Sequence, residues 1–191
     1  MSFKRFIMFP FQDKDWVKKI LLGCVISIVP VLNLLTLGYF LKCIKMGMEG
    51  RANLPEWEEW AEHIREGFMA FIIAFIYLLV PILLALPLIS IPVVGVLLLA
   101  ILVLLVGLLI PLALAAYSER KNLMDAFRIQ DIIIKLSRII NPYAAAYLFT
   151  VFILTLGLSI VILLPHLAFL GVLVMFYFGL VFFNLLGSIW N

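Results

Sequence analysis

The sequence predicts an all-α integral membrane protein with four long transmembrane helices arranged as two hairpins. A Pro-broken N-terminal segment and in-plane amphipathic helices complete the predicted fold. Hydrophobic residues make up 66% of the 191 residues and charged residues 13%, whereas soluble proteins carry about 25% charged residues. No Asp, Glu, Lys or Arg lies from Gly67 to Tyr117 or from Ile139 to Asn191. A span needs roughly 20 apolar residues, so each of these stretches is long enough to cross the membrane twice.

The placement of the basic residues predicts the orientation. All 14 Lys and Arg lie in three blocks, at residues 4–19, 42–65 and 120–138. Basic loops tend to stay in the cytoplasm, which predicts a multi-pass protein of the cell (inner) membrane with these blocks on the cytoplasmic side. The sequence has no extended basic, polar face that could follow nucleic-acid phosphates. The expected partners are therefore membrane lipids, and a homo-oligomer is left open.

Residues 1–19 read as an interfacial anchor rather than a ligand site. In the stretch FPFQDKDWVKKILLG, the aromatic side chains of Phe9, Phe11 and Trp16 suit the membrane–water interface, where an apolar ring lies beside polar headgroups. Lys18 and Lys19 follow at the start of the apolar segment. Their long stems allow the ammonium groups to reach back to the headgroups.

The apolar segment at residues 20–41 is long enough to cross the membrane once, but its middle reads SIVPVLN. Pro30 and Asn33 both favour a break in a helix. Two half-helices in a re-entrant hairpin would keep every basic residue on one side, so this form is preferred. A kinked span, which would put residues 4–19 on the opposite side, is the alternative. Pro30 and Asn33 are also candidates to line a pore, because irregular backbone at this depth must be buried or face water.

Two charged stretches, at residues 53–66 and 122–140, have helical periodicity and are predicted to be amphipathic helices in the headgroup plane. In the first, Trp57 and Trp60 share an apolar face, and Asn53 with Pro55 resembles a helix start. In the second, isoleucines form one face, and Arg128, Lys135 and Arg138 lie on the other. These tryptophans and basic residues are the predicted interface anchors.

The two charge-free stretches each divide at prolines. Pro87 and Pro92 divide the hairpin at residues 67–116 into helices over 67–86 and 93–116. Pro165 and His166 divide the hairpin at residues 143–190 into helices over 143–164 and 167–190. The turns carry no Asp, Glu, Lys or Arg, which favours their translocation to the far side of the membrane.

Four stretches together resemble a known family: PFQDKDWVKKILLG, IVPVLNLLTLGY, LPEWEEW and AFRIQDIIIKL. The sequence is similar to a prokaryotic domain-of-unknown-function family of multi-pass membrane proteins, whose members open with PF-x-D-x-D-W and carry L-P-E/D-W before the next span. The resemblance implies a compact helical membrane domain. It implies no activity, substrate or catalytic residue.

Glu59, Glu62, His63 and Glu66 are the one cluster of metal-ligand residue types in the sequence. Di-iron helical bundles need Glu-x-x-His on two facing helices, and this spacing is absent. The cluster therefore reads as a solvated acidic face, and we expect no metal and no cofactor. The four predicted spans contain no Asp, Glu, Lys or Arg, which argues against a coupled transporter.

These observations predict a non-catalytic, lipid-embedded structural or interaction module rather than an enzyme. The alternative is an oligomeric channel or small-solute facilitator. Its lining would come from backbone carbonyls or from small polar side chains at Asn33, Thr36, Thr150, Thr155 and Asn184. A lipid-directed interface enzyme that uses the face from Glu59 to Glu66 is the least favoured hypothesis.

Overall fold

The computed structural model describes residues 7–51 and 53–190, and over these residues the chain forms helices and no strand. Six α-helices follow one another along the described chain, and short 3-10 turns lie at Phe9–Gln12, Leu123–Phe127 and Pro165–Leu167. The α-helices are α1 (Trp16–Ile28), α2 (Asn33–Met48), α3 (Trp60–Ile89), α4 (Val94–Arg120), α5 (Ile129–Leu163) and α6 (Ala168–Trp190). Four segments are long and apolar enough to cross a membrane: α3, α4, α5 and Pro165–Trp190. The predicted all-α class is therefore confirmed.

The two long hairpins form as predicted, with α3 packed on α4 and α5 packed on α6. The first turn lies between Ile89 and Val94, where the Ser90 hydroxyl donates to the Pro87 carbonyl oxygen at 2.7 Å. The second turn follows Leu163 and contains Pro165. Helix α3 continues through Pro87 to Ile89, so the predicted helix end at residue 86 is three residues too early. The two turns themselves contain Pro92 and Pro165, and proline has no amide hydrogen to continue a helix.

The N-terminal apolar segment folds as a short hairpin of α1 and α2, and the predicted break at Pro30 is confirmed. The 13 residues of α1 extend about 20 Å, less than the roughly 30 Å of a bilayer core. The chain then turns back, and the hydroxyls of Ser27 in α1 and Thr36 in α2 lie 2.9 Å apart. A single kinked span, the alternative that the sequence left open, is not formed.

Helix α2 lies at the centre of the molecule, between α3 and α6. A Cβ atom built on Gly67 of α3 would lie 1.7 Å from the Leu34 carbonyl oxygen, and one on Gly187 of α6 would lie 2.0 Å from the Ile44 carbonyl oxygen. Backbones approach this closely only where glycine omits the side chain. Since Leu34 is the second residue of α2 while Gly67 is the eighth residue of the 30 in α3, the tip of the short hairpin lies well short of the far end of α3.

Beyond that tip the long hairpins expose most of their surface. In the apolar 18-residue stretches of α3, α4 and α5, only 17%, 22% and 17% of residues are buried. In the corresponding stretch of Pro165–Trp190, 50% are buried. Leu86 of α3, Leu104 of α4 and Leu163 of α5 are 83%, 65% and 75% exposed. Leucine exposed to this extent on a long apolar helix is typical of a lipid-facing surface.

The predicted amphipathic helix at residues 53–66 begins later than expected. Helix α3 starts at Trp60 and continues without interruption to Ile89. The preceding residues are held by contacts that a helix would break: the Leu54 amide donates to Asp13 Oδ2 at 3.1 Å, and the Pro55 carbonyl oxygen accepts from the Tyr39 hydroxyl at 2.9 Å. Tertiary hydrogen bonds therefore outweigh the local helix signal here.

The predicted amphipathic helix at residues 122–140 is also not a separate element. Residues 123–127 form a 3-10 turn, and α5 then runs from Ile129 through Pro142 to Leu163. Tyr143, directly after this proline, is buried, and its hydroxyl donates to the Leu108 carbonyl oxygen of α4 at 2.6 Å. Neighbouring helices can hold a proline within a membrane helix. Neither amphipathic stretch is therefore an independent in-plane helix.

Candidate functional site

The charged residues that join different segments gather at one end of the molecule, which we call the charged end (residues 13–19, 42–66 and 119–138). Lys19 joins α1 to the loop before α3 through Glu56 at 2.6 Å. Glu66 of α3 pairs with Lys121, just after α4, at 2.8 Å. Glu119 of α4 accepts from Lys135 of α5 and from the Trp190 indole of α6, both at 2.8 Å. These contacts tie the described helices together at this end.

Lys19 is buried, with 5% of its surface exposed. Its ammonium donates to Asp13 at 2.8 Å, to Glu56 at 2.6 Å and to the Leu54 carbonyl oxygen at 3.3 Å. The predicted reach of Lys19 to the headgroups is therefore wrong. Its three acceptors are supplied by the chain itself, and they satisfy the ammonium without lipid.

The titration of this pair follows from its surroundings. Burial alone would raise the pKa of Asp13, but hydrogen bonds from Lys19 and from the Asp15 and Leu54 amides lower it below its ordinary value. Burial alone would lower the pKa of Lys19, but the hydrogen bonds to Asp13 and Glu56 raise it. Both groups are therefore held in their charged forms.

A cluster of rings lies directly beneath this network. Tyr39 stacks on Trp57 with centroids 4.1 Å apart, and Trp57 lies 5.5 Å from the His63 ring. His63 is fully buried, and its Nε2 donates to the Glu56 carbonyl oxygen at 2.8 Å. The Trp57 indole donates to the Lys19 carbonyl oxygen at 3.1 Å. Trp57 is thus part of the protein core, not a membrane-facing anchor as predicted.

The other predicted anchors differ in exposure. Phe9 is buried at 4%, whereas Phe11 is 45% exposed and meets the Trp16 ring edge-on at 4.6 Å. The Lys135 ammonium lies 4.5 Å from the centroid of the Trp190 ring. The anchors that remain exposed, besides Phe11, are Lys18, Trp60, Arg128 and Arg138. These five side chains can still contact lipid.

The acidic cluster at residues 59–66 is divided among different partners. Lys42 pairs with both Glu59 and Glu62, while Glu66 is 1% exposed and pairs with Lys121. A fully solvated acidic face is therefore wrong, because Glu66 faces the interior. Within residues 7–51 and 53–190, no group of three or more His, Cys, Asp or Glu is placed to hold a metal ion.

A cavity of about 430 Å³ lies at the tip of the short hairpin, between α1, α2, α5 and α6, with Pro111 of α4 at its border. It brings together Asn33, Thr36 and Thr150, three of the predicted pore-lining residues. Ser27 and Tyr147 also line it, together with the apolar side chains of Phe40, Val151, Leu154, Val172, Met175, Phe176, Phe182 and Phe183. Thr155 and Asn184 lie elsewhere. This cavity is a second candidate site, in addition to the charged end.

The hydrogen bonding of the cavity's polar groups is incomplete. The Ser27 hydroxyl donates to the Gly23 carbonyl oxygen at 2.7 Å and contacts the Thr36 hydroxyl. Thr150 is 7% exposed, yet its hydroxyl has no hydrogen-bond partner among the described residues. This hydroxyl is not one of the fully buried, unpartnered side-chain atoms of the described residues, so it is accessible from the cavity that Thr150 lines. Thr150 is therefore a candidate ligand-contacting group.

The lining residues of the cavity are half-buried toward the charged end and exposed at its side. The Phe40 and Phe183 rings stack with centroids 5.0 Å apart, and these are the lining residues of α2 and α6 nearest the charged end. Asn33 is exposed at the hairpin tip, and Val151 and Leu154 are 38% and 37% exposed. The opening therefore faces the same apolar surroundings as the long hairpins.

Sequence reasoning missed several of these residues. The sequence pattern did not single out Asp13, although its carboxylate accepts from the Lys19 ammonium and from the Leu54 amide. Tyr147 and Ser27 carry no local signal, because each is one polar residue in an apolar stretch. The predicted lining by Asn33, Thr36 and Thr150 rested on residue type alone, and only folding brought the three together.

Comparison with known proteins agrees with this architecture. Residues 21–166 match the family described as "Protein of unknown function (DUF4013)". The chain belongs to the DUF4013 family. The DUF4013 match includes the short hairpin from Leu21 onward and the cavity residues of α4 and α5, and it ends before α6. No curated protein and no solved structure matches the chain significantly. The chain is thus a membrane protein of a family of unknown function.

Proposed function

We propose that this protein is a non-catalytic, lipid-embedded interaction module of the cell membrane, with its charged end at the cytoplasmic surface. The observation that carries the proposal is the half-length hairpin. Helices α1 and α2 occupy the space between the long hairpins only near the charged end, and the far halves of α3, α4 and α5 are largely exposed. Exposed apolar helices of this kind perturb and organise the surrounding lipid.

The charged end supports a structural role. Glu56, Glu66 and Glu119 each accept from a cation of another segment, as expected of groups that join helices. A general base or nucleophile would need a free side chain directed at a substrate. The orientation is supported by the positive-inside tendency, since the described Lys and Arg lie in the segments at this end.

Reconstitution tests the proposal. We expect purified protein in phosphatidylcholine–phosphatidylglycerol vesicles to change lipid order in proportion to the protein-to-lipid ratio, as measured by spin-labelled lipids at several acyl-chain depths. Planar bilayers that contain the same protein should show no conductance above that of protein-free bilayers. Discrete single-channel currents would overturn the proposal.

A passive facilitator is the second candidate, favoured by the clustering of Asn33, Thr36 and Thr150 around one cavity. Such a route would have to pass the stacked Phe40 and Phe183 rings, so a second copy or a movement of α2 would be needed. If solute flux is detected in vesicles, Asn33→Leu should abolish it. Thr155→Val, outside the cavity, serves as the matched control and should leave flux unchanged.

A further inference from the structure

The cavity at the tip of the short hairpin is lined by a hydroxyl group that makes no hydrogen bond to the described residues. Thr150 is 7% exposed and lines the cavity. Threonine hydroxyls in helices commonly donate to a carbonyl oxygen one turn earlier, and Thr155 of the same helix does so to Val151 at 2.9 Å. Among the described residues the Thr150 hydroxyl makes no such bond. It is therefore free to bind a molecule in the cavity.

The lining indicates what kind of molecule fits. Every residue that lines the cavity is uncharged, and most are apolar or aromatic. An ionised headgroup would lose its hydration here without gaining an opposite charge, which is strongly unfavourable. The volume of about 430 Å³ lies within the roughly 300–1,000 Å³ typical of small-molecule sites. The chemistry fits one apolar chain with a neutral polar group.

The position of the opening indicates the source of that molecule. Asn33, Val151 and Leu154 are exposed at the side of the cavity, while the stacked rings of Phe40 and Phe183 lie on the side toward the charged end. A ligand therefore enters from the surrounding lipid rather than from the cytoplasm. Asn33 supplies an amide at the entrance, and Thr150 supplies a hydroxyl deeper inside.

We propose that this cavity binds one neutral single-chain amphiphile from the membrane, a hydrocarbon chain that bears a hydroxyl or ester group. The polar group hydrogen-bonds to Thr150, and the chain packs against Val172, Met175 and Phe176. This site deepens the proposed function and rests on it, because a lipid-embedded module is the setting in which such a ligand is available. With this site, the module binds one class of lipid specifically, in addition to its general contact with the bilayer.

Photocrosslinking tests the site directly. The probe is a monoacylglycerol with a diazirine at mid-chain, added to full-length protein in phosphatidylcholine vesicles, and labelled peptides are mapped by mass spectrometry. We expect saturable labelling concentrated in residues 151–154 and 172–176. Unlabelled monoolein should compete, and oleate at a pH where its carboxylate is ionised should compete at least tenfold less well. Labelling that does not saturate and spreads over the exposed faces of α3 and α4 would overturn the proposal.

A pair of matched variants isolates the hydrogen bond. Thr150→Val removes the hydroxyl and keeps the shape, and we expect the apparent affinity for the probe to fall about fivefold, as for loss of one hydrogen bond. Thr155→Val removes a hydroxyl from the same helix outside the cavity and should bind as the wild type does. Equal thermal unfolding midpoints in detergent would show that both variants fold. Unchanged binding by Thr150→Val would contradict the assigned role of Thr150.

The outcomes also separate this proposal from the one on which it rests. If lipid order changes without conductance but saturable labelling is absent, only the ligand site is wrong. If single-channel currents appear, the module itself is wrong, whatever the labelling pattern.

Discussion

Lys19 is the residue on which the N-terminal part of the molecule depends. Its ammonium is buried at the charged end and donates hydrogen bonds to the carboxylates of Asp13 and Glu56. Its carbonyl oxygen accepts a hydrogen bond from the Trp57 indole. A buried cation is tolerated only when its donors are satisfied. The segment before α1, the start of α1 and the loop before α3 therefore form one unit around this side chain.

Asp13→Asn is predicted to destabilise the folded protein by about 2 kcal/mol, the usual scale for a hydrogen bond to a charged group. The substitution removes the buried carboxylate that pairs with Lys19, and exposed Glu56 compensates only in part because water screens its charge. The unfolding midpoint in detergent measures this change. Asp15→Asn is the matched control, since Asp15 is exposed, and it should shift the midpoint by less than a quarter as much.

The same pair predicts the pH dependence of stability. The pKa of Asp13 is lowered on folding by the bonds from Lys19 and nearby amides, which outweigh burial. The ionised Asp13 therefore contributes to the free energy of unfolding at pH values above its pKa in the unfolded chain, which is near the ordinary value of 3.8. This contribution is lost as the pH falls through the lower pKa that Asp13 has in the folded protein. The unfolding midpoint of the wild type should drop below about pH 4 more steeply than that of Asp13→Asn. Parallel curves would contradict this assignment.

Helix α2 shows how one element sets the position of its neighbours. Its backbone approaches α3 at Gly67 and α6 at Gly187 so closely that a Cβ atom at either glycine would overlap a carbonyl oxygen. The overlap is with backbone, which cannot move aside as a flexible side chain does. These contacts hold the short hairpin between the long ones and so determine where the cavity lies.

Gly67→Ala is therefore predicted to be strongly destabilising, by about 3 kcal/mol or more, because the new methyl group would lie 1.7 Å from the Leu34 carbonyl oxygen. Gly107→Ala is the control. The nearest atom to its new Cβ would be the Tyr147 hydroxyl at 2.9 Å, and a side chain can rotate away. Unfolding in a denaturing detergent series compares the two. Similar midpoints for both variants would mean that the α2–α3 contact is looser than described.

Some boundaries of these helices could be predicted from nearby residues, and others depend on contacts with residues far away in sequence. The turns at Pro92 and Pro165 and the break at Pro30 were predictable because proline acts on its own backbone. The start of α3 was not, because residues 53–59 are held by Asp13, Lys19 and Tyr39, which are far away in sequence. The sequence suggested three polar residues of the cavity lining, Asn33, Thr36 and Thr150, but it did not indicate that they would line the same cavity.

At the scale of the whole molecule, the described charges that pair between segments lie at one end and the apolar hairpin turns at the other. The short hairpin returns to the charged end, because α1 begins beside Leu54 and α2 ends beside Glu119. The proposed orientation therefore places every block of basic residues on the same side of the membrane, in agreement with the positive-inside tendency.

Cysteine accessibility checks this topology. Single cysteines at Ser2, Ser90 and Ser137, in a background with Ala at Cys24 and Cys43, are treated on intact cells with an impermeant thiol reagent. Ser90 and Ser137 are both exposed, so their labelling reports sidedness, and Ser2 lies outside the described residues. We expect labelling at Ser90 alone. Labelling at both Ser2 and Ser90 would mean that the first segment crosses the membrane, and labelling at Ser137 but not Ser90 would mean that the protein is inverted.

The sequence by itself determined that this chain is a membrane protein with two long helical hairpins and a broken first segment. Those features depend on local quantities, namely the length of an apolar run and the missing amide hydrogen of proline. Only the tertiary structure decided that Lys19 is buried rather than turned to the headgroups, that α3 and α5 continue through the charged stretches, and that Asn33 and Thr150 share a cavity. Each of these depends on contacts between residues far apart in sequence, and the spacing along the chain carries no information about such contacts.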